Sequence, residues 1–232
     1  MAGLVVSALL GVGAKVPASM DAPVREVFHT PPGMSAPIEP LLLYQASQDE
    51  KCCHWVDSVY NRMNLREKVG QLFIYTIAPV QTKRNMQLLR DAVHTYKVGG
   101  LLFSGGKIQN QATLTNEAQR MARCPLLITF DGEWGLSMRL RGTPVFPRNM
   151  VLGCIQDNRL IYEYGREMAR QCREMGVQVN FAPVADVNIN PDNPVINTRS
   201  FGEDPVKVAD KVIAYASGLE SPFCLQAFSG TW

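Results

Sequence analysis

The feature that most limits what this chain can fold into is a rhythm. Short apolar runs, "LFIYTI" (72–77), "VGGLLF" (98–103), "PLLITF" (125–130) and "VQVNFAPV" (177–184), alternate with longer stretches of helical spacing. The helical stretches are "VQTKRNMQLLRDAVHTYK", "NQATLTNEAQRMAR", "DNRLIYEYGREMARQCREMG" and "EDPVKVADKVIAYASGLE". Runs that are apolar throughout suit strands covered on both faces. Strands that alternate with helices pair in parallel, because each crossover helix returns the chain to the same end of the sheet. The sequence therefore predicts an α/β protein with a parallel sheet, closed or open. No short internal repeat is visible.

The punctuation agrees with the rhythm. Asn64 stands as N-cap before "LREKVGQL", and Asp157 stands as N-cap of the helix that Gly176 ends. Asp204 is an N-cap with Pro205 at the first helical position. "DEKCCHWVDSVYNRM" also has helical spacing. Met168, Cys172 and Met175 share one face of the long helix and read as core.

Composition narrows the function classes. Hydrophobic residues make up 46% of the 232, enough for a sizeable core, and charged residues 19%, so wholesale disorder is not expected. A net charge of +2 without a basic run argues against a nucleic-acid partner. Cys52-Cys53-His54 is the one cluster of metal-ligand types. Its spacing fits no common zinc site, and the three histidines are scattered. No metal and no cofactor are expected. "VGGLLFSGGK" lacks both phosphate-loop spacings and reads as a Gly-rich strand end with a tight turn.

Outside the rhythmic part, residues 1–22 hold a short apolar run ending in small residues. This is the pattern of an export signal, but without the basic residues that ordinarily precede one. Either the start lies upstream of Met1 or the run is a chance one. Export, periplasmic or secreted, is the expectation. The run is too short to span a membrane. Residues 23–48 are proline-rich and read as a linker or arm.

Chemistry in a parallel α/β protein collects past the C-terminal ends of strands. After "PLLITF" come Asp131-Gly132-Glu133-Trp134-Gly135 and then Arg139. After "VQVNFAPV" come Asp186 and a long polar loop that includes Arg199. Carboxylates accept from hydroxyls, arginines donate in a fork, and an indole face stacks on a pyranose, so these residues make a reasonable sugar-binding set. They could equally tie loops down, with Asp131 and Asp186 accepting from backbone N–H groups. Residue types alone leave both readings standing.

The segments "LREKVGQLF", "GGLLFSGG", "DGEWGLSMRL", "FPRNMVLG", "VNFAPVADVN" and "NTRSFGEDP" occur in this order from about Leu65 to Leu219. Together they resemble the N-terminal barrel domain of glycoside hydrolase family 3, most closely its bacterial β-N-acetylhexosaminidase branch. The resemblance implies an incomplete TIM (β/α)8-type barrel, about its first half, over residues 49–219. It also implies a carbohydrate substrate, an N-acetylglucosamine-containing glycan or cell-wall fragment. Asp131, Arg139 and Arg199 match positions that would hold the terminal sugar, and Asp186 matches an aspartate assigned to loop architecture. Many such enzymes read Asp-Gln-Glu-Gly-Gly where this chain has Asp-Gly-Glu-Trp-Gly, which leaves fine substrate preference open. β-Glucosidase activity and a non-catalytic sugar-binding role are the alternatives.

The family cleaves glycosides with retention, through an aspartate nucleophile and, in this branch, a histidine–aspartate acid/base pair. By the resemblance both lie after a Lys-His-Phe-Pro-Gly-His-Gly motif that should follow "YASGLE". Instead the chain reads "SPFCLQAFSGTW". One permitted spelling of "QAFSGTW", CAA GCA TTT TCC GGG ACA TGG, encodes that motif when read one base later. The expectation is a one-base frame change between about Leu219 and Phe223, which makes 220–232 an out-of-frame tail and the product a truncated one. Codons there that cannot spell the motif would refute it. No catalytic residue is assigned within 1–232, and no hydrolase activity is expected of the 232-residue product itself.

Overall fold

The computed structural model describes residues 49–219. The expected export signal (1–22), proline-rich arm (23–48) and out-of-frame tail (220–232) lie outside them. In order, the elements are α1 (Glu50–Asn61), α2 (Leu65–Gly70), β1 (Ile74–Ile77), α3 (Lys83–Arg90), β2 (Gly100–Phe103), β3 (Gly106–Lys107) and α4 (Ile108–Met121). These are followed by β4 (Leu127–Phe130), β5 (Leu140–Arg141), α5 (Asn149–Gly153), α6 (Asn158–Glu174), β6 (Val179–Asn180) and α7 (Pro205–Gly218).

Four strands form one parallel sheet in the order β1-β2-β4-β6. Each new strand adds beside the one before it and the order never reverses. A doubly wound sheet has a switch point where its order turns back; a barrel wall does not. This order therefore selects the barrel-type winding from the two that the sequence allowed. β3 and β5 form a separate parallel ribbon, Gly106 opposite Leu140 and Lys107 opposite Arg141. The glycine-rich strand end is thus a turn into this ribbon.

The helices start where the sequence places caps. Asn64 and Glu67 close a reciprocal capping box on α2. Asp157 accepts from the Arg159 N–H, and Asp204 from those of Val206 and Lys207 ahead of Pro205. Gly176, just past α6, takes φ +65°, a left-handed value that favours glycine.

Two cores result. One packs Ile77, Leu101, Phe103, Ile128 and Phe130 of the sheet against Leu89, Val93, Leu114 and Ala118 of α3, the turn after it and α4. Cys172 and Met175 reach this core, while Met168 lies in the second one, so all three are core residues as their spacing implied. The second joins α6 and α7 through Ile161, Tyr164, Val208, Val212 and Tyr215. Each such aliphatic side chain contributes about 1.5–3 kcal/mol by leaving water. The two helices touch backbone to backbone: a Cβ on Gly165 would lie 2.2 Å from the Tyr215 carbonyl oxygen, and one on Gly218 2.0 Å from that of Tyr162. Among the described residues no helix is long and apolar enough to cross a membrane.

Candidate functional site

The site is built where β4 and β6 end. Phe130 closes β4, and the chain passes straight into Asp131-Gly132-Glu133-Trp134-Gly135. This loop is tied down by Asn180, the last residue of β6 and fully buried. Its Oδ1 accepts from the Gly132 N–H at 3.0 Å, and its Nδ2 donates to the Gly132 carbonyl at 3.2 Å. Gly135 then turns the chain at φ +92°, facing Met168 and Phe146.

Asn180 holds Gly132, so Asp131 and Glu133 on either side of it are both set in place, and each meets an arginine. The Asp131 carboxylate is bonded by the Arg139 guanidinium, whose Nε also donates to the Asp131 carbonyl at 3.2 Å. Arg139 is positioned by the ribbon: it immediately precedes β5, and its carbonyl accepts from the Gly106 N–H at 2.8 Å. Both side chains stay open to solvent, 32% exposed for Asp131 and 37% for Arg139.

Glu133 differs. Its side chain is 4% exposed and takes Arg199 in a fork, with Nη2 at 2.6 Å from Oε1 and Nε at 3.0 Å from both oxygens. Arg199 also donates to the Val195 carbonyl at 3.2 Å, and its own carbonyl accepts from Asn149 at 2.8 Å. The bonded Glu133 carboxylate raises the Arg199 pKa above its ordinary value. Partial burial works against this, while the charges of Asp131 and Asp186 add to it. Asp131, Glu133, Asp186 and Arg199 thus share one electrostatic neighbourhood. The Asp186 carbonyl accepts from Ser200 Oγ at 2.6 Å, which fastens its loop to the residue after Arg199.

All the sequence-selected residues, Asp131, Arg139, Asp186 and Arg199, therefore converge on one strand-end face. The selected carboxylate of Asp131 meets a guanidinium, and it is Asn180 that ties the loop backbone. Glu133 and Asn180 carry more of the architecture than residue type suggested. Asn180 could have been singled out, since an amide inside a buried apolar run needs partners. The Trp134 ring is half-buried, with one face covered by the Arg148 guanidinium at 4.8 Å from the ring centroid, so that face is not available to a sugar. Among the described residues no group of three His, Cys, Asp or Glu side chains could hold a metal ion.

Comparison with known proteins identifies the family. The model of the glycosyl hydrolase family 3 N-terminal domain matches residues 64–227. The chain belongs to glycosyl hydrolase family 3. Its N-terminal domain is a TIM-barrel-like α/β fold, and the described residues supply four parallel strands of the barrel wall. The family 3 segment is 33% identical over 152 residues to "Beta-hexosaminidase A" of Pseudoalteromonas piscicida, covering 60% of this chain and 25% of that protein. It superposes on a glycoside hydrolase family 3 β-N-acetylglucosaminidase from Paenibacillus sp. str. FPU-7 with a TM-score of 0.63 and 31% identity, covering 72% of this chain and 33% of that one. The β-glucoside phosphorylase BglX bound to 2FGlc gives a TM-score of 0.72 at 22% identity over 78% of this chain and 32% of that one, a likeness of fold alone. The family 3 segment therefore spans about a quarter to a third of the length of these relatives.

Proposed function

We propose that this face is the terminal-sugar subsite of a retaining β-N-acetylhexosaminidase acting on N-acetylglucosamine-containing glycans. The observation that carries the reading is the Asp131–Arg139 pair, left open to solvent on a loop that is otherwise locked from below. A carboxylate has lone pairs for two neighbouring hydroxyls, and a guanidinium presents several donors in a rigid fork. Together they match an edge of vicinal ring hydroxyls. Hydrogen bonds to charged groups contribute about 1.5–3 kcal/mol each, so a few of them hold a monosaccharide. In this reading Arg199 reaches the same sugar, steered by Glu133, and Asp186 keeps the opposite loop in register. Similarity to a β-hexosaminidase and to a β-N-acetylglucosaminidase supports the hexosamine preference.

The groups that attack the anomeric carbon and protonate the leaving oxygen follow, by the family resemblance, a motif that residues 1–232 do not spell in frame. Export is proposed from the apolar run in residues 1–22, and N-terminal sequencing of the secreted product tests it.

The test is calorimetric titration of the purified chain with N-acetylglucosamine and with glucose. Binding of N-acetylglucosamine that is lost in Asp131→Ala and Arg139→Ala supports the subsite. Equal binding of both sugars favours the β-glucosidase alternative. Unchanged affinity in both variants refutes the reading.

A further inference from the structure

An arginine side chain is long, and both of its ends must be fixed before its donors hold a direction. Glu133 fixes the far end of Arg199. Nε and one Nη2 N–H go to that carboxylate, and one Nη1 N–H goes to the Val195 carbonyl. Three of the five N–H groups of the guanidinium are thus engaged, and two remain for a ligand. The near end is the backbone of a short 3-10 turn, Asn197–Arg199. Asn197 opens that turn at φ +36°, a left-handed value that asparagine tolerates better than most residues but that persists only when the surroundings hold it.

The hold on this turn from outside its own loop comes from α5 and the residue before it. Arg148 donates through Nη1 to Thr198 Oγ1 at 2.9 Å. Asn149, fully buried, donates through Nδ2 to the Arg199 carbonyl at 2.8 Å. Gly153 approaches the Phe201 carbonyl too closely for any side chain to fit between them. Arg148, Asn149 and Gly153 thus meet residues 198–201, while Leu152 and Phe201 seat both segments in the second core. Of these three holds, the Asn149 bond is the one that reaches Arg199 itself. Its direction is fixed, because only the nitrogen of the amide can donate to a carbonyl. The Asn149 Oδ1 has no partner among the described residues, which leaves the Nδ2 donation as the bond that ties this side chain to the protein.

We propose that Asn149 is a positioning residue for the sugar site: by fixing the Arg199 carbonyl it sets where the two remaining guanidinium N–H groups point. The proposal rests on the reading of this face as a terminal-sugar subsite that Arg199 reaches. Glu133 and Asn149 then share one task from opposite ends of the same side chain, one holding the guanidinium and the other the backbone. An apolar residue of similar size could fill the same buried space, and what the amide adds to it is the donor. Asn149 touches no sugar in this arrangement and acts through Arg199.

The test is a double-mutant cycle on the purified chain, read as affinity for N-acetylglucosamine under conditions where urea unfolding shows each variant folded. Asn149→Leu, similar in size but without the donor, should weaken binding roughly 3- to 10-fold, as for the loss of one hydrogen bond. In an Arg199→Ala background the same substitution should change affinity by less than about twofold, because the residue it acts through is gone. Asn149→Ala should show the same split and covers the case in which leucine does not fit. If Arg199→Ala does not fold, the pair Glu133→Gln with Arg199→Met serves as the background, since it leaves no buried charge unpaired. A second readout needs no sugar. The Arg199 Nε–H, held against the buried Glu133, should exchange with water at least about threefold faster in Asn149→Leu, while the backbone amides of α7 keep their protection. Undiminished affinity in both Asn149 variants, or an equal loss with and without Arg199, overturns the proposal and leaves the terminal subsite intact. If the unsubstituted chain does not bind N-acetylglucosamine, the subsite reading fails. The exchange measurement then decides alone: faster Nε–H exchange supports the positioning of Arg199 by Asn149, and unchanged exchange overturns it.

Discussion

Asp131 and Glu133 stand two residues apart on one loop, and each faces an arginine, but the two pairs do different work. Glu133–Arg199 is closed: 4% and 27% of the side chains are exposed, and the fork spans 66 positions of sequence. Asp131–Arg139 is open at 32% and 37%, between residues only eight apart. A buried charge left without its partner is costly, whereas an exposed pair contributes little and water can replace either member. The closed pair is therefore suited to fixing the angle between two strand-end loops. The open pair is suited to exchanging one of its bonds for a ligand. In the proposed reading burial separates the two pairs: Glu133 holds Arg199 in place from below, and Asp131–Arg139 is left free to exchange a bond.

The largest effect should come from breaking the closed pair. Glu133→Ala leaves Arg199 among buried neighbours without its carboxylate, and stability should fall by about 3 kcal/mol in urea unfolding. Sugar affinity should fall as well, because the Arg199 loop loses its tie. A loss below about 1 kcal/mol, the range of exposed pairs, would erase the distinction.

A second route reaches the same loop without touching a charge. Gly153 of α5 sits under Phe201, and a Cβ there would lie 1.7 Å from the Phe201 carbonyl oxygen, so Gly153→Ala must push the segment that follows Arg199. Overpacking of this kind costs about 1–3 kcal/mol. Sugar affinity should drop with stability, since Arg199 moves. Full affinity in a destabilised Gly153→Ala protein would show that the site does not depend on this loop.

Asp131→Asn should do the reverse. Stability should change by less than about 1 kcal/mol, as for other exposed pairs, while affinity for N-acetylglucosamine should fall by roughly tenfold or more. A large stability loss with unchanged binding would move Asp131 from contact to scaffold.

Much of this was legible in the sequence, for reasons that differ by element. β1, β2, β4 and the long helices were legible because apolar period and caps act within one segment, as Asn64, Asp157 and Asp204 show. β3 and β5 were not, because a two-residue ribbon has no period to detect. The apolar run 177–184 suggested a strand of its full length, but only Val179–Asn180 pairs. Pro183 has no N–H to give a ladder, and Asn180 turns its amide to the neighbouring loop. Asp131, Arg139, Asp186 and Arg199 were all selected from the sequence, yet neither ion pair was foreseen and Glu133, the partner of Arg199, was not among them. Nothing local joins Glu133 to Arg199, and the cover that Arg148 places on Trp134 depends on loops brought together by the sheet.

The smallest effect calibrates the comparison with an ion pair that lies wholly on a helix surface. On α6, Glu167 accepts from Arg170 Nε and Nη2 at 2.7 Å and from Gln171 at 2.9 Å. The Arg170 hydrogen bonds, helped by the Gln171 hydrogen bond and the Arg170 charge, lower its pKa from the ordinary 4.5 to about 2 against the opposing effect of burial. A carboxylate whose folded pKa is depressed stabilises the fold fully above its unfolded pKa and loses that contribution as pH falls through the folded value. The window here runs from about 4.5 down to about 2. Pairs three apart on a helix contribute about 0.2–0.5 kcal/mol. Glu167→Gln should therefore lower stability by that little at pH 7, with the difference from wild type shrinking between pH 4 and pH 2. A Glu167→Gln loss as large as that of Glu133→Ala would mean that local hydrogen-bond geometry, rather than burial, separates the scaffold pair from the contact pair.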